Sequence, residues 1–383
     1  MTTVPLAWRQ LTWEKSRLAA ALAGIGFAVV LMLMQLGFQS ALYISSLLFH
    51  SSLRAELVLL NPQYEYLDQP KSFTERRLYQ ALAVDGVQAV VPIYMGLAIF
   101  KNPETHAEHN ILVIGFKPRQ GVLDVPGLDE NLDLLRQPDV VLFDSMSRPE
   151  FGPIPRMFQR DGHVTVEVAR HSVEIAGLFR LGTSFGAFAN LITSDVNYLR
   201  LLRRPPAGEV NLGLVQLKPG VSVEQVKADL QALLPNDVQV VTRAELIDIE
   251  KEYWAVHTPI GFVFTLGLIM GLVVGAVIVY QILYTDVSDH LREYATLKAM
   301  GYPDRYLLSV VLRQSLTLSV LGYLPGLLIA QGLYVVAKRA TLLPLDLTWS
   351  RILFVYLLTA GMCATAAFLA VRKLRVADPA DIF

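Results

Sequence analysis

Four stretches of the chain carry no Asp, Glu, Lys or Arg: residues 18–53, 258–285, 314–337 and 352–371. A helix needs about 20 mainly apolar residues to cross a bilayer, so each stretch is read as a membrane span. The first is too long for the apolar core of a signal peptide and is expected to stay as an uncleaved anchor. Its later part holds Gln35, Gln39, Ser40, Ser45, Ser46 and His50, and is expected to continue beyond the membrane as a packed helix. In the third stretch, Gly322 to Gly326 with Pro325 between them should kink or thin the helix.

Residues 54–257 are different material, with charges, Pro and Gly throughout. Alternating or continuous apolar runs at 87–100, 111–116, 140–143, 163–168, 173–179, 212–217 and 238–241 predict strands. Helices are expected between them. Ser72 with Glu75, Ser222 with Gln225, and Thr242 with Glu245 have capping-box spacing, which predicts helix starts at all three places. The strand–helix–strand order over 212–241 suggests a small ferredoxin-like layer, and the Pro-rich run 148–155 suggests a division into two lobes. The fold class is therefore an α-helical membrane protein with four transmembrane helices plus an extracytoplasmic α+β domain inserted between the first and second. The expected divisions are 1–53, 54–257, 258–285, 286–313, 314–371 and 372–383.

Composition supports this layout. The 383 residues are 53% hydrophobic and 17% charged, with a mean hydropathy of +0.42, too apolar for an ordinary soluble chain of this length. A net charge of −1 offers no basis for nucleic-acid binding. One cysteine, Cys363, excludes an internal disulfide framework, so the inserted domain must be held by its own core. Basic residues number three before the first span, four in 286–313 and three in the tail, against three in the short connection 338–351. This bias puts both termini and the 286–313 connection in the cytoplasm and the long insertion outside.

The 286–313 connection carries the most information. Val287, Leu291, Tyr294 and Ala295 recur on one stripe of a helix, with Asp286, Asp289, Arg292 and Glu293 on the other side. Gly301 followed by Pro303 is a helix stop. The run Arg292-Glu293-Tyr294-Ala295-Thr296-Leu297-Lys298-Ala299-Met300-Gly301 resembles the REIG…(R/K)-A-x-G signature of the FtsX/MacB-like ABC transporter permeases. Asp289-His290 and Tyr294-Ala295 depart from the Glu-Arg and Ile-Gly usual there. The order of one span, a large external domain and three spans is similar to the cyanobacterial DevC-type exporter permeases.

The resemblance implies a transport subunit of a bacterial inner membrane rather than an enzyme. It implies a cytoplasmic coupling helix formed by Asp289, Arg292, Glu293, Leu297, Lys298, Met300 and Gly301 that docks on an ABC ATPase. ATP and magnesium would reside on that partner, and this chain would hold no cofactor. Also implied are a homodimer, a periplasmic membrane-fusion adaptor, an indirect TolC-like outer-membrane partner, and a lipid-like or glycolipid cargo. An FtsX-like alternative would use the same architecture to signal to an external cell-wall hydrolase, and the external partner discriminates the two.

The remaining motifs are weaker. No G-x-x-x-x-G-K-[ST] loop occurs in the sequence, so the ATPase is expected on a separate chain. Gly182-Thr183-Ser184-Phe185-Gly186 matches a nucleophile elbow, which would make the chain a membrane-anchored esterase. The His residues after it, His257 and His290, are badly placed to serve as its base, and a glycine-rich loop is the better reading. His106 and His109 lack flanking ligands for a metal and read as a solvated turn. Cys363 reads as packing. Gly267, Gly271 and Gly275 lie on one helix face, for packing within the subunit or at a dimer seam. The spans hold none of the charged residues that mark ion pathways.

Overall fold

A computed structural model describes residues 15–184, 186–290, 293, 296 and 300–374. The chain divides into two units. Of the described residues, those of 15–41, 259–341 and 345–374 form one unit and those of 42–258 and 342–344 the other.

The first apolar stretch forms α1, Lys15–Ser46, followed by the short helix α2, Leu48–Ser52. The inserted domain then alternates strands and helices: β1 Leu57–Leu60, β2 Phe73–Thr74, α3 Arg76–Leu82, β3 Val87–Lys101, β4 Glu108–Phe116 and β5 Val140–Asp144. After these come α4 Ile154–Asp161, β6 Val164–Val168, β7 His171–Phe179, β8 Asn190–Ser194 and α5 Asp195–Leu202. The domain closes with β9 Glu209–Val210, β10 Leu212–Leu217, α6 Val223–Leu233, β11 Gln239–Thr242 and α7 Arg243–Glu252.

Among the described residues, nine strands form one sheet in the order β11-β1-β10-β3-β4-β8-β5-β7-β6. The long strand β3 is shared: residues 87–93 pair with β10, and residues 93–101 pair with β4. Its last residues also pair with β6, Phe100 opposite Val168, so β3-β4-β8-β5-β7-β6 closes on itself and leaves no open edge on that side. Strand β4 is buried on both faces. Ile111 and Val113 join one core cluster with Phe100, Phe143 and Tyr198, while Leu112, Ile114 and Phe116 join another with Leu142 and Phe179. The two-residue period of a strand produces this sorting, and burial on both sides produces the continuous apolar run.

The seven expected strands are present. Helix α6 connects β10 and β11, which flank β1 and both run antiparallel to it, giving a split β-α-β unit. Ser222 caps α6 by accepting from the Gln225 amide, and Thr242 with Glu245 forms the complete reciprocal box at the start of α7. Two expectations are corrected. Ser72 caps no helix: Phe73–Thr74 is a strand paired with β9, and the Ser72 hydroxyl donates to Glu209. The run 148–155 divides no lobes, because β5 before it pairs with both β7 and β8 after it. Strands β1 and β8 of the large sheet, and the short pair β2 and β9, were not foreseen. The four residues of β1 offer no period to read, and β8 hides behind polar residues: Asn190 donates to Asp144, and Thr193 donates to the Val140 carbonyl.

In the other unit, α1 is joined by α8 Pro259–Asp289, α9 Asp304–Thr341 and α10 Trp349–Leu374. All four helices are long and apolar enough to cross a membrane. Helix α9 runs unbroken through Pro325. Its Gly326 lies against α1, where an added Cβ would sit 2.9 Å from the Gly26 carbonyl oxygen and 2.9 Å from Val29. The expected thinning of this helix is thus used for close backbone approach. Farther along, Tyr334 donates to the Leu33 carbonyl at 2.6 Å and accepts from Arg351.

A Gly115→Val substitution tests the packing of the inserted domain. Strand β4 leaves no room there, because a Cβ on Gly115 would fall 2.4 Å from the Tyr198 Cβ. Thermal unfolding of the solubilised chain should show a loss of about 1–3 kcal/mol from overpacking. An unchanged melting profile would refute that packing.

Candidate coupling site

Helix α8 ends in a polar cluster. Asp286 and Val287 are buried, and the His290 Nδ1 lies 2.9 Å from the Asp286 carbonyl oxygen and 3.7 Å from its carboxylate. Asp289 pairs with Arg17 of α1, Nη1 to Oδ2 2.8 Å. This places a basic residue ahead of the first span against the end of the second, within one unit. The two side chains are 27% and 49% exposed, so the pair contributes at most about 1 kcal/mol.

Of the coupling residues expected from the sequence, Arg292, Leu297 and Lys298 lie outside the described residues. Glu293 is helical and exposed. Met300 donates its amide to the Thr296 carbonyl at 3.0 Å and is 62% exposed. Gly301 takes φ +89°, the left-handed region that a side chain would make costly, and Pro303 accepts the Tyr306 amide as α9 begins. The rings of Tyr302 and Tyr306 pack 4.8 Å apart, and both remain exposed. Met300, Tyr302 and Tyr306 thus face solvent together beside the Gly301 turn. The two tyrosines were missed by sequence reasoning, although four-residue spacing around a Gly-x-Pro turn was there to be read.

Gly267, Gly271 and Gly275 face α1. Added Cβ atoms would meet Gln35, then Leu31 and Met32, then Ala28, and at Gly275 also Met362 of α10. Cys363 is buried.

The inserted domain has a polar site of its own that the sequence did not announce. Glu250 of α7 is buried and accepts from the Leu67 amide at 3.1 Å, the Tyr64 hydroxyl at 3.2 Å and the Trp254 indole at 2.9 Å. The His50 Nε2 of α2 lies 3.0 Å from the Tyr64 hydroxyl oxygen and 3.6 Å from Glu250. His50 follows α1 in the chain, while Trp254 lies in a single π-helical turn, Tyr253–His257, just before α8. The network therefore ties together the two chain segments by which the domain is connected to the first and second spans. The one local signal for it was an ionisable His in an otherwise charge-free stretch.

The other candidates have structural roles. Ser184 accepts the Ala187 amide at 2.8 Å, and the buried Asp144 carboxylate holds the same loop through the Leu181 and Gly182 amides and Asn190. His257 stacks on Tyr253. His106 sits in the β3–β4 turn, where Asn102 accepts the Glu104 and Thr105 amides, and His109 packs its ring against Phe151. Among the described residues no group of three or more His, Cys, Asp or Glu could hold a metal ion.

Residues 18–233 match the MacB-like periplasmic core domain family, and residues 265–379 match the FtsX-like permease C-terminal family. Two relatives from Mycobacterium tuberculosis, the uncharacterized ABC transporter permeases Rv0072 (strain H37Rv) and MT0078 (strain CDC 1551), are each 21% identical over 380 residues, covering 98% of both chains. Among solved structures, the periplasmic region of MacB from Actinobacillus actinomycetemcomitans is 12% identical with a TM-score of 0.36, covering 51% of this chain and 92% of that one. The extracellular domain of the transporter YknZ from Gram-positive bacteria is 18% identical with a TM-score of 0.34, covering 49% and 98%.

An Asp289→Asn change tests the weight of the Arg17 pair. It should lower the stability of the solubilised chain by less than about 1 kcal/mol. A loss of several kcal/mol on thermal unfolding would mean that this pair, and not helix packing, fastens α1 to α8.

Proposed function

This chain belongs to the MacB/FtsX-like family of ABC transporter permeases, and from that premise we propose that it is the membrane subunit of an ABC exporter of the DevC type. The observation that carries the reading is the order of its parts. A MacB-like core domain spans residues 18–233, and an FtsX-like half spans 265–379 and encloses the connection between α8 and α9. Permeases of this family work with an ABC ATPase. In our reading that ATPase, with its ATP and magnesium, is a separate chain and docks on Asp289, Arg292, Glu293, Leu297, Lys298, Met300 and Gly301.

Closure of the ATPase moves the spans, and the inserted domain passes that movement to an adaptor of the membrane-fusion type and a TolC-like outer-membrane tube. A lipid-like or glycolipid cargo suits this route, because the spans supply no charged pathway of their own. The working unit is a homodimer. The glycine stripe of α8 is occupied by α1, whereas Phe262, Ile269, Val273 and Val277 on α8 are exposed in the single chain, available to lipid or to a second copy.

Two measurements test this reading. Leu297→Ala/Met300→Ala should insert and dimerise normally but lose about 2–4 kcal/mol of docking energy. ATPase co-purification and export should then fail, and retention of both would reduce the segment to a mere connection. In a Cys363→Ala background, single cysteines along α8 should give disulfide-linked dimers at 262, 269, 273 and 277 and not at Gly271. Absence of any dimer in native membranes would overturn the proposed assembly.

A further inference from the structure

The network around Glu250 is not used by the docking reading. Its position is unusual for a buried carboxylate. The donors come from three separate segments: Tyr64 and Leu67 from the loop after β1, Trp254 from the π-helical turn, and His50, through Tyr64, from α2. The groups that face Glu250 are His50, Tyr64, Asp68 and Trp254. Asp68 lies in the same loop as Tyr64 and has a buried carboxylate oxygen with no hydrogen-bond partner. Buried carboxylates in such company are held either by donors or by a proton.

We propose that Glu250 is a proton-operated latch of the inserted domain: proton uptake holds the Tyr64–Leu67 loop and α2 against the helix leading to α8, and proton loss releases them. The proton count closes. With Glu250 ionised, the Tyr64 hydroxyl donates to it and the His50 Nε2–H donates to the Tyr64 oxygen. With Glu250 protonated, its O–H donates to Tyr64, Tyr64 turns its hydroxyl onto His50 Nε2, and the ring's single proton shifts from Nε2 to Nδ1. One proton from solvent is gained; either charge state can form these contacts in the closed arrangement, and release follows because the ionised carboxylate bears a desolvation cost of enclosure that the proton removes.

The electrostatics support the direction. Burial pushes the Glu250 carboxyl up to about 7, with the Asp68 charge adding to the rise, while the donors from Trp254, Leu67 and Tyr64 oppose it. Burial holds Asp68 at about 6 and lowers His50 to about 4. A carboxyl raised in the closed form stabilises closure below its ordinary value, and that contribution is lost as pH rises through about 7. Asp68 acts in the same sense at lower pH. A lowered histidine stabilises closure above its ordinary 6.5 and loses that contribution as pH falls toward 4. His50 therefore opposes Glu250 below 6.5, and between pH 6.5 and 8 Glu250 makes the main contribution, with Asp68 acting in the same sense.

The test uses the full chain in nanodiscs, with Trp8, Trp13 and Trp349 changed to Phe so that Trp254 is the sole indole. Trp254 emission should titrate with a midpoint near pH 7, the value burial gives Glu250. Amide-exchange protection of residues 61–68 should fall about fourfold between pH 6.5 and 8. Both changes should vanish in Glu250→Gln. Tyr64→Phe removes a donor to the carboxylate and should move the midpoint up by about one pH unit. Emission that is flat from pH 6.5 to 8, or that titrates unchanged in Glu250→Gln, would overturn the latch. If Glu250→Gln does not fold, an unmoved midpoint in Tyr64→Phe would overturn it instead.

Discussion

A bilayer core offers no partner for a bare peptide group, so the chain can cross it only as fully hydrogen-bonded helix. This constraint organises the membrane unit. Four helices carry the crossings, and their association draws on close backbone approach rather than on charge. Gly326 against Gly26 and the α8 glycines against α1 are the points where side chains have been removed to permit it. Tyr334, which donates to the Leu33 carbonyl, adds a polar fastening of the kind that membrane helices use sparingly. Ionisable chemistry is thereby pushed to the ends of the spans and to the domain between the first two.

The inserted domain solves a different problem, since it has water on its surface and no disulfide to rely on. Its answer is strand β3, fifteen residues long, which serves two sets of partners at once. The β10 side carries the split β-α-β unit, while the β4 and β6 sides close a ring of six strands. Because one strand belongs to both, β11 and α7 are linked to the ring through a continuous ladder of backbone hydrogen bonds.

How far the chain could be read in advance followed the range of each signal. The spans were legible because exclusion of charge is a property of a contiguous stretch, and the caps at Ser222 and Thr242 because their partners lie three residues away. Ser72 had the same local pattern, yet its hydroxyl is taken by Glu209, 137 residues on, and no window of sequence contains that competitor. The Glu250 network was illegible for the same reason, with Tyr64 and Glu250 separated by 186 positions. The cytoplasmic connection was legible only in part. Its Gly301 stop came from turn chemistry, whereas Leu291, Tyr294 and Ala295 of the expected stripe lie outside the described residues and the docking role came from resemblance alone.

The energies of these contacts argue for where control resides. The Arg17–Asp289 pair is half in water and contributes at most about 1 kcal/mol, too little to hold the spans in one arrangement against a docked partner. Glu250 is enclosed, so the free energy of its proton is not screened by solvent and is felt by every segment that donates to it. The chain thus places a weak, exposed contact at its cytoplasmic connection and a strong, buried one in the inserted domain. In the proposed latch, that buried contact is the one whose protonation governs closure of the inserted domain.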